Sequence, residues 1–118
     1  MYRVVLPFPV LPGKSEADIR SIAERFKALC DPMRLRLLQG LRSGERSVGE
    51  LAERTGGGQA NVSKHLQVLL QQGFVDRRKE GTISWYRISD PAVFKICELV
   101  GGWLEEELGR KRKLIRGR

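Results

Sequence analysis

The chain has 118 residues, 41% hydrophobic and 31% charged, which is enough for one modest core and one domain. Its 22 Lys and Arg against 14 Asp and Glu leave a net charge of +8. No apolar run approaches the roughly 18 residues of a membrane span, and Pro7, Pro9 and Pro12 break an apolar N-terminus that lacks the shape of a signal peptide. Two cysteines make no disulfide framework, so a cytoplasmic protein with reduced thiols is expected. A basic excess points to a polyanionic partner, nucleic acid or an anionic surface. The excess is uneven: +3 over residues 1–55, +3 over 56–88, −4 over 89–109 and +6 over 110–118.

Residues 1–14 read as an extended arm, because three prolines remove backbone donors and disfavour helix before them. Its Val4, Leu6, Phe8 and Val10 form either a partly ordered tail or a strip laid on a partner subunit. Residues 15–109 read as the folded domain and 110–118 as a basic tail. Ser15, with Asp18 three residues on, opens a first helix carrying Ile19, Ile22, Ala23, Phe26 and Leu29. Asp31-Pro32 opens a second, which Gly44 closes. Ser47 and Glu50 form a capping box for a short third helix with Val48, Leu51 and Ala52 inward. Thr55-Gly56-Gly57-Gly58 breaks the chain, and a fourth helix follows with Ala60, Val62, Leu66, Leu69 and Leu70 as its apolar set. The period then changes to two. Phe74–Lys79 and Thr82–Ser89 read as strands joined by a tight turn at Glu80-Gly81. A last helix is expected from about Pro91 to Leu108, apolar around more than one face, which argues for a dimer interface.

This order, α-α-α-α-β-β-α, is mainly α with a small β-hairpin: a winged helix-turn-helix. In that arrangement the fourth helix lies in the major groove and the hairpin is the wing. Gln59, Asn61, Ser63, Lys64 and Gln67 form its outer face, and no acidic residue occurs from Gly56 to Val75. Amides pair with adenine edges, lysine with guanine or phosphate, serine with either. The glycine run clears space for backbone N–H contact with phosphate. Arg77, Arg78, Lys79 and Arg87 flank the wing turn, where phosphate or minor-groove contacts are expected.

The segment from Phe26 through Asp31-Pro-Met-Arg to Leu38 resembles the helix-opening signature of the ArsR (arsenical-resistance repressor) family of winged-helix regulators. Ser47-Val-Gly-Glu-Leu-Ala, Gln59-Ala-Asn-Val-Ser-Lys-His-Leu and the stretch from Val75 to Trp85-Tyr-Arg-Ile continue the match in order, over residues 20–104. The resemblance implies homodimeric repressors that pair through the first and last helices and leave double-stranded operator DNA when an inducer binds. It places Gln59, Ser63, Lys64 and His65 with the DNA contacts, while Ala60 stands where the family often has a polar residue. His65, the only histidine, has a second reading as a packed residue beside Leu66.

The resemblance also names two metal sites, and neither is intact. The third helix has no cysteine pair, and Ala92 and Trp103 fall where the last-helix site has imidazoles, leaving only Asp90 and Glu106. No metal or other cofactor is therefore expected. Cys30 and Cys97 leave two readings: a thiol switch answering a thiol-reactive inducer or soft metal, or two small buried apolar residues. The expected function is sequence-specific DNA binding by a transcriptional regulator. A winged-helix interaction module without specific DNA binding is the alternative. An enzyme is not expected, because no nucleophile–base spacing or phosphate-binding loop is present.

Overall fold

Capping chemistry sets where the helices begin. Helix α1 (Glu16–Leu29) starts at Ser15, whose hydroxyl accepts from the Asp18 N–H while the Asp18 carboxylate accepts from the Ser15 N–H, both at 3.1 Å. Helix α2 (Pro32–Gly40) starts at Asp31, whose carboxylate accepts from the N–H groups of Met33 (2.8 Å) and Arg34 (3.1 Å). Helix α3 (Val48–Thr55) has the Ser47–Glu50 box, at 3.2 and 3.1 Å. Helix α4 (Gln59–Gln71) follows the glycine turn. Strands β2 (Val75–Glu80) and β3 (Ile83–Ile88) form the hairpin around Gly81, which takes the left-handed φ of 62° that the turn requires. Helix α5 (Ala92–Arg116) begins beside Asp90, whose carboxylate accepts from the Ala92 N–H at 2.9 Å. These elements come from a computed structural model, which describes residues 15–116. The arm of residues 1–14, with Val4, Leu6, Phe8 and Val10, lies outside the described residues, as does Arg118.

The expected order is present, with three differences. A two-residue strand, β1 (Arg46–Ser47), pairs antiparallel with β3, so the sheet has three strands in the order β1-β3-β2. Helix α2 ends at Gly40 and a turn leads to Gly44. Helix α5 does not stop at Leu108. Gly109 is helical, and residues 110–116, read from sequence as a tail, continue the helix. Lys111 pairs with Glu107 one turn earlier at 3.5 Å, and basic side chains at a helix C-terminus complement its dipole.

The core gathers one stripe from each element. Leu37, Leu38 and Leu41 pack with Leu51, with Val62, Leu66 and Leu69, with Val75 and Tyr86 of the sheet, and with Val93 and Phe94 at the start of α5. Beyond Phe94 none of the residues of α5 up to Ile115 is buried, and Leu99, Val100, Trp103, Leu104 and Leu108 are exposed. The radius of gyration is 18.7 Å, against about 13 Å for a compact domain of this length. No helix among the described residues is long and apolar enough to cross a membrane.

Leu66 is fully buried at the centre of this core. Leu66→Ala is expected to cost about 2–5 kcal/mol, read as a lower urea midpoint with little change in slope.

Candidate nucleic-acid interface

The turn between α3 and α4 is built by three glycines with different tasks. Gly56 closes α3 with φ 74°, and its N–H donates to the Ala52 carbonyl. Gly57 packs so closely that a Cβ would meet Val62 Cγ2 at 3.1 Å and Met33 Cε at 3.2 Å. Gly58 is the N-cap of α4 and brings no side-chain cap, so the first N–H groups of that helix keep their hydrogen-bonding capacity. Helices α1, α2 and α3 are all capped by side chains.

Helix α4 buries Val62, Leu66 and Leu69 and turns Gln59, Ala60, Asn61 and Lys64 outward. Ser63 and Gln67 are half-buried on its flanks. A groove of about 330 Å³ runs from Gln59 past Ser47, Val48 and Gly49 to Thr82, Ile83 and Ser84 at the wing turn. The start of α4 and the wing tip therefore form one continuous surface.

The hairpin register pairs Arg77 with Tyr86 and Lys79 with Ser84 on one face, and Asp76 with Arg87 and Arg78 with Trp85 on the other. The second face is an ion-pair cluster. Arg78 donates through Nε and Nη2 to the Glu45 carboxylate (2.9 and 2.7 Å) and through Nη1 to Glu80 (2.7 Å). Its guanidinium also lies 5.4 Å from the centre of the Trp85 ring. Arg87 meets Asp76 at 3.4 Å.

A helix-turn-helix domain model matches residues 29–78. Over 77 residues the chain is 44% identical to the probable mercury resistance operon repressor of Streptomyces lividans, covering 65% of this chain and 62% of that protein. Over 101 residues it is 36% identical to the HTH-type transcriptional regulator Rv0324 of Mycobacterium tuberculosis, covering 83% of this chain and 45% of that one. The chain thus spans about half the length of these curated relatives. The homodimeric winged helix-turn-helix DNA-binding domain Mb0332 of Mycobacterium bovis, described as a possible ArsR-family regulator, superposes with a TM-score of 0.70 at 35% identity, over 85% of this chain and 95% of that domain. The chain belongs to the ArsR family of winged helix-turn-helix transcriptional regulators. These relatives are named as transcriptional regulators, not enzymes.

Within this ArsR-family domain the expected contact residues divide into two groups. Gln59, Asn61, Lys64, Arg77 and Lys79 are exposed, Ser63 and Gln67 border them, and among the described residues Lys64, Arg77 and Lys79 have no ion pair. Arg78 and Arg87, expected on phosphate, are instead engaged by carboxylates, because the register sets each across from or beside an acid. His65 lies at the border of the helix: its side chain is 17% exposed and its Nδ1, 3.2 Å from Arg34 Nη1, faces α2. Ala60, placed by its spacing with the inner apolar set, is exposed. Sequence reading missed Glu45 as a partner of the wing, since it precedes a two-residue strand with no readable period, and gave Arg34 no role beyond the motif that contains it.

Cys30 caps the C-terminus of α1 and Cys97 lies on α5, and both are exposed. The reading of them as buried apolar residues is set aside. Among the described residues no three His, Cys, Asp or Glu side chains converge as a metal site would need.

The bond from Arg78 holds the Glu45 carboxyl below the usual glutamate range. An acid depressed in the folded state stabilises it above the unfolded pKa, and that contribution is lost as pH falls through the folded one. Protection of the wing amides over residues 75–88, relative to their intrinsic exchange rates, is therefore expected to fall on acidification below about pH 4.5. Glu45→Gln should raise exchange at neutral pH and flatten that dependence.

Proposed function

We propose that the chain is a homodimeric repressor that binds an operator through α4 and the wing and leaves it when an inducer binds. The observation that carries this reading is a groove joining the uncapped start of α4 to the wing tip, on elements that also carry exposed Lys64, Arg77 and Lys79, without ion pairs among the described residues, and four hydrogen-bonding side chains on α4. Such a surface supplies both base-edge and phosphate partners. No acid on α4 opposes them. The interaction-module alternative finds no support among the relatives, which are named as regulators.

Dimerisation through α1 and α5 rests on the uncovered apolar surface. Trp103 and Leu99 are 65% and 62% exposed, and Phe26 of α1 borders an apolar cleft of about 190 Å³ with Ile22, Leu29, Phe74 and Ile96. A second copy is the occupant this reading assigns, giving two α4 helices addressing half-sites about 34 Å apart on DNA in the cytoplasm. The thiol reading is retained on the exposure of Cys30 and Cys97. A thiol-reactive or soft-metal inducer would act there, and loss of the inducer response in Cys30→Ser or Cys97→Ser tests it.

Protection mapping on the upstream DNA of its own gene tests the main reading, with an imperfect palindrome as the expected footprint. Lys64→Ala and Lys79→Ala should each reduce the slope of log K against log salt by about 1. Arg78→Ala should change that slope less, because its charge is already matched by Glu45 and Glu80. Equal slope changes for all three variants would show that Arg78 swings onto phosphate.

A further inference from the structure

Arg34 stands where three helices meet. Its Nε donates to the Ala28 carbonyl and its Nη2 to the Lys27 carbonyl (3.4 Å), both in the last turn of α1. Its own N–H is held by the Asp31 cap at 3.1 Å, so the side chain departs from a fixed first turn of α2. Its Nη1 reaches His65 Nδ1 on α4 at 3.2 Å. A guanidinium has donors only, so the ring nitrogen facing it is the acceptor and the ring proton sits on Nε2. Asp31 Oδ1 lies 3.9 Å from the same nitrogen. The side-chain nitrogens of this arginine and the Nδ1 of this histidine are thus directed at the protein, although their types would suit DNA.

We propose that Arg34 and His65 are a positioning pair: Arg34, anchored on the end of α1, acts through His65 to set the pose of α4. The proposal rests on the DNA-binding reading above. A planar fork that binds two helices at once holds an angle better than a flexible ammonium would. Here the angle is between a helix of the proposed dimer interface and the helix that reads DNA. Small errors in it are magnified at the second half-site, whereas binding to DNA of any sequence tolerates them.

Two measurements test this. In the free protein, nitrogen-15 NMR of the imidazole should show the Nε2–H form, and Arg34→Ala should shift both the ring signals and the amide signals of residues 59–71. Signals that stay in place overturn the pairing. On DNA, Arg34→Ala and His65→Ala should each weaken operator binding about tenfold and binding to random-sequence DNA less than about twofold. The double variant should be no weaker than the weaker single one. His65→Asn, which restores an acceptor, should recover most of the affinity, and Arg34→Lys, which keeps charge without the fork, should not. Additive losses, or an equal loss on random DNA with a reduced salt slope, overturn the proposal and mark direct contacts. Should Arg34→Ala fail to fold, the His65 variants carry the same comparison. A wild-type protein with no operator preference would overturn the DNA-binding reading itself, whereas an intact preference with unmoved NMR signals overturns the pair alone.

Discussion

Val62, Leu66 and Leu69 fix α4 to the body of the molecule, and all three are fully buried. Each contributes about 1.5–3 kcal/mol of burial, and together they dictate which side chains face outward. A helix rotates 100° per residue, so sealing positions 62, 66 and 69 leaves Ala60, Lys64 and Gln71 on the far side. The glycine turn obeys the same constraint from the other end. Gly57 sits against Val62 and Met33 so closely that a Cβ would push on both side chains, and that approach brings the start of α4 against α2. Apolar packing thus sets the rotation of the helix, while the polar bridge from Arg34 to His65 bears on its angle.

Charge at the wing is a matter of availability more than number. Residues 56–88 carry a net +3, yet two of the five cations are matched by carboxylates. Exposed ion pairs of this kind add little to stability. Their effect here is geometric, since Arg78 joins the residue before β1 to the hairpin and lies over Trp85. A wing held from one face presents Arg77 and Lys79 from the other with less freedom, and less entropy is lost when they meet a polyanion. An acid such as Glu45 near a nucleic-acid surface is tolerable on these terms, because its charge is spent on Arg78.

The helix starts were legible because their signals are local. Ser15 with Asp18, Asp31 with Pro32 and Ser47 with Glu50 each lie within one turn, and each cap forms as read. The hairpin was legible for the same reason: a change of period around one glycine. What was not legible depends on distance along the chain. Arg78 meets Glu45, 33 residues away, and His65 meets Arg34, 31 residues away. Neither partner has a spacing that marks it. The outer face of α4 was legible as a face, but position 65 belongs to its border, where a single residue's rotation of about 100° separates an outward side chain from an internal one. The end of α5 was misread because Gly109 and a run of like charges look like a stop, while Glu107 one turn before Lys111 supplies the opposing charge.

Helix α5 shows how one element can carry two opposite tasks along its length. Val93 and Phe94 seal the core, and among the described residues nothing covers Leu99, Val100, Trp103, Leu104 and Leu108. Leu99, Trp103, Val100, Leu104 and Leu108 recur at steps of four, so they form a ridge and not a scatter. A ridge of this kind on an isolated protomer invites association. The same helix also carries Glu98 and Glu105–Glu107, and residues 89–109 total −4. That segment is repelled by phosphate. The acids discourage contact between α5 and DNA, while the apolar ridge accepts another protein surface. The basic residues that follow are helical and begin against those acids, with Lys111 on Glu107. The +8 of the chain is therefore no uniform field. Besides the +3 of residues 1–55, it is three exposed cations of α4 and β2 without ion pairs among the described residues, two wing arginines matched by carboxylates, and a helix end whose positive charge is answered in part by its own preceding turn.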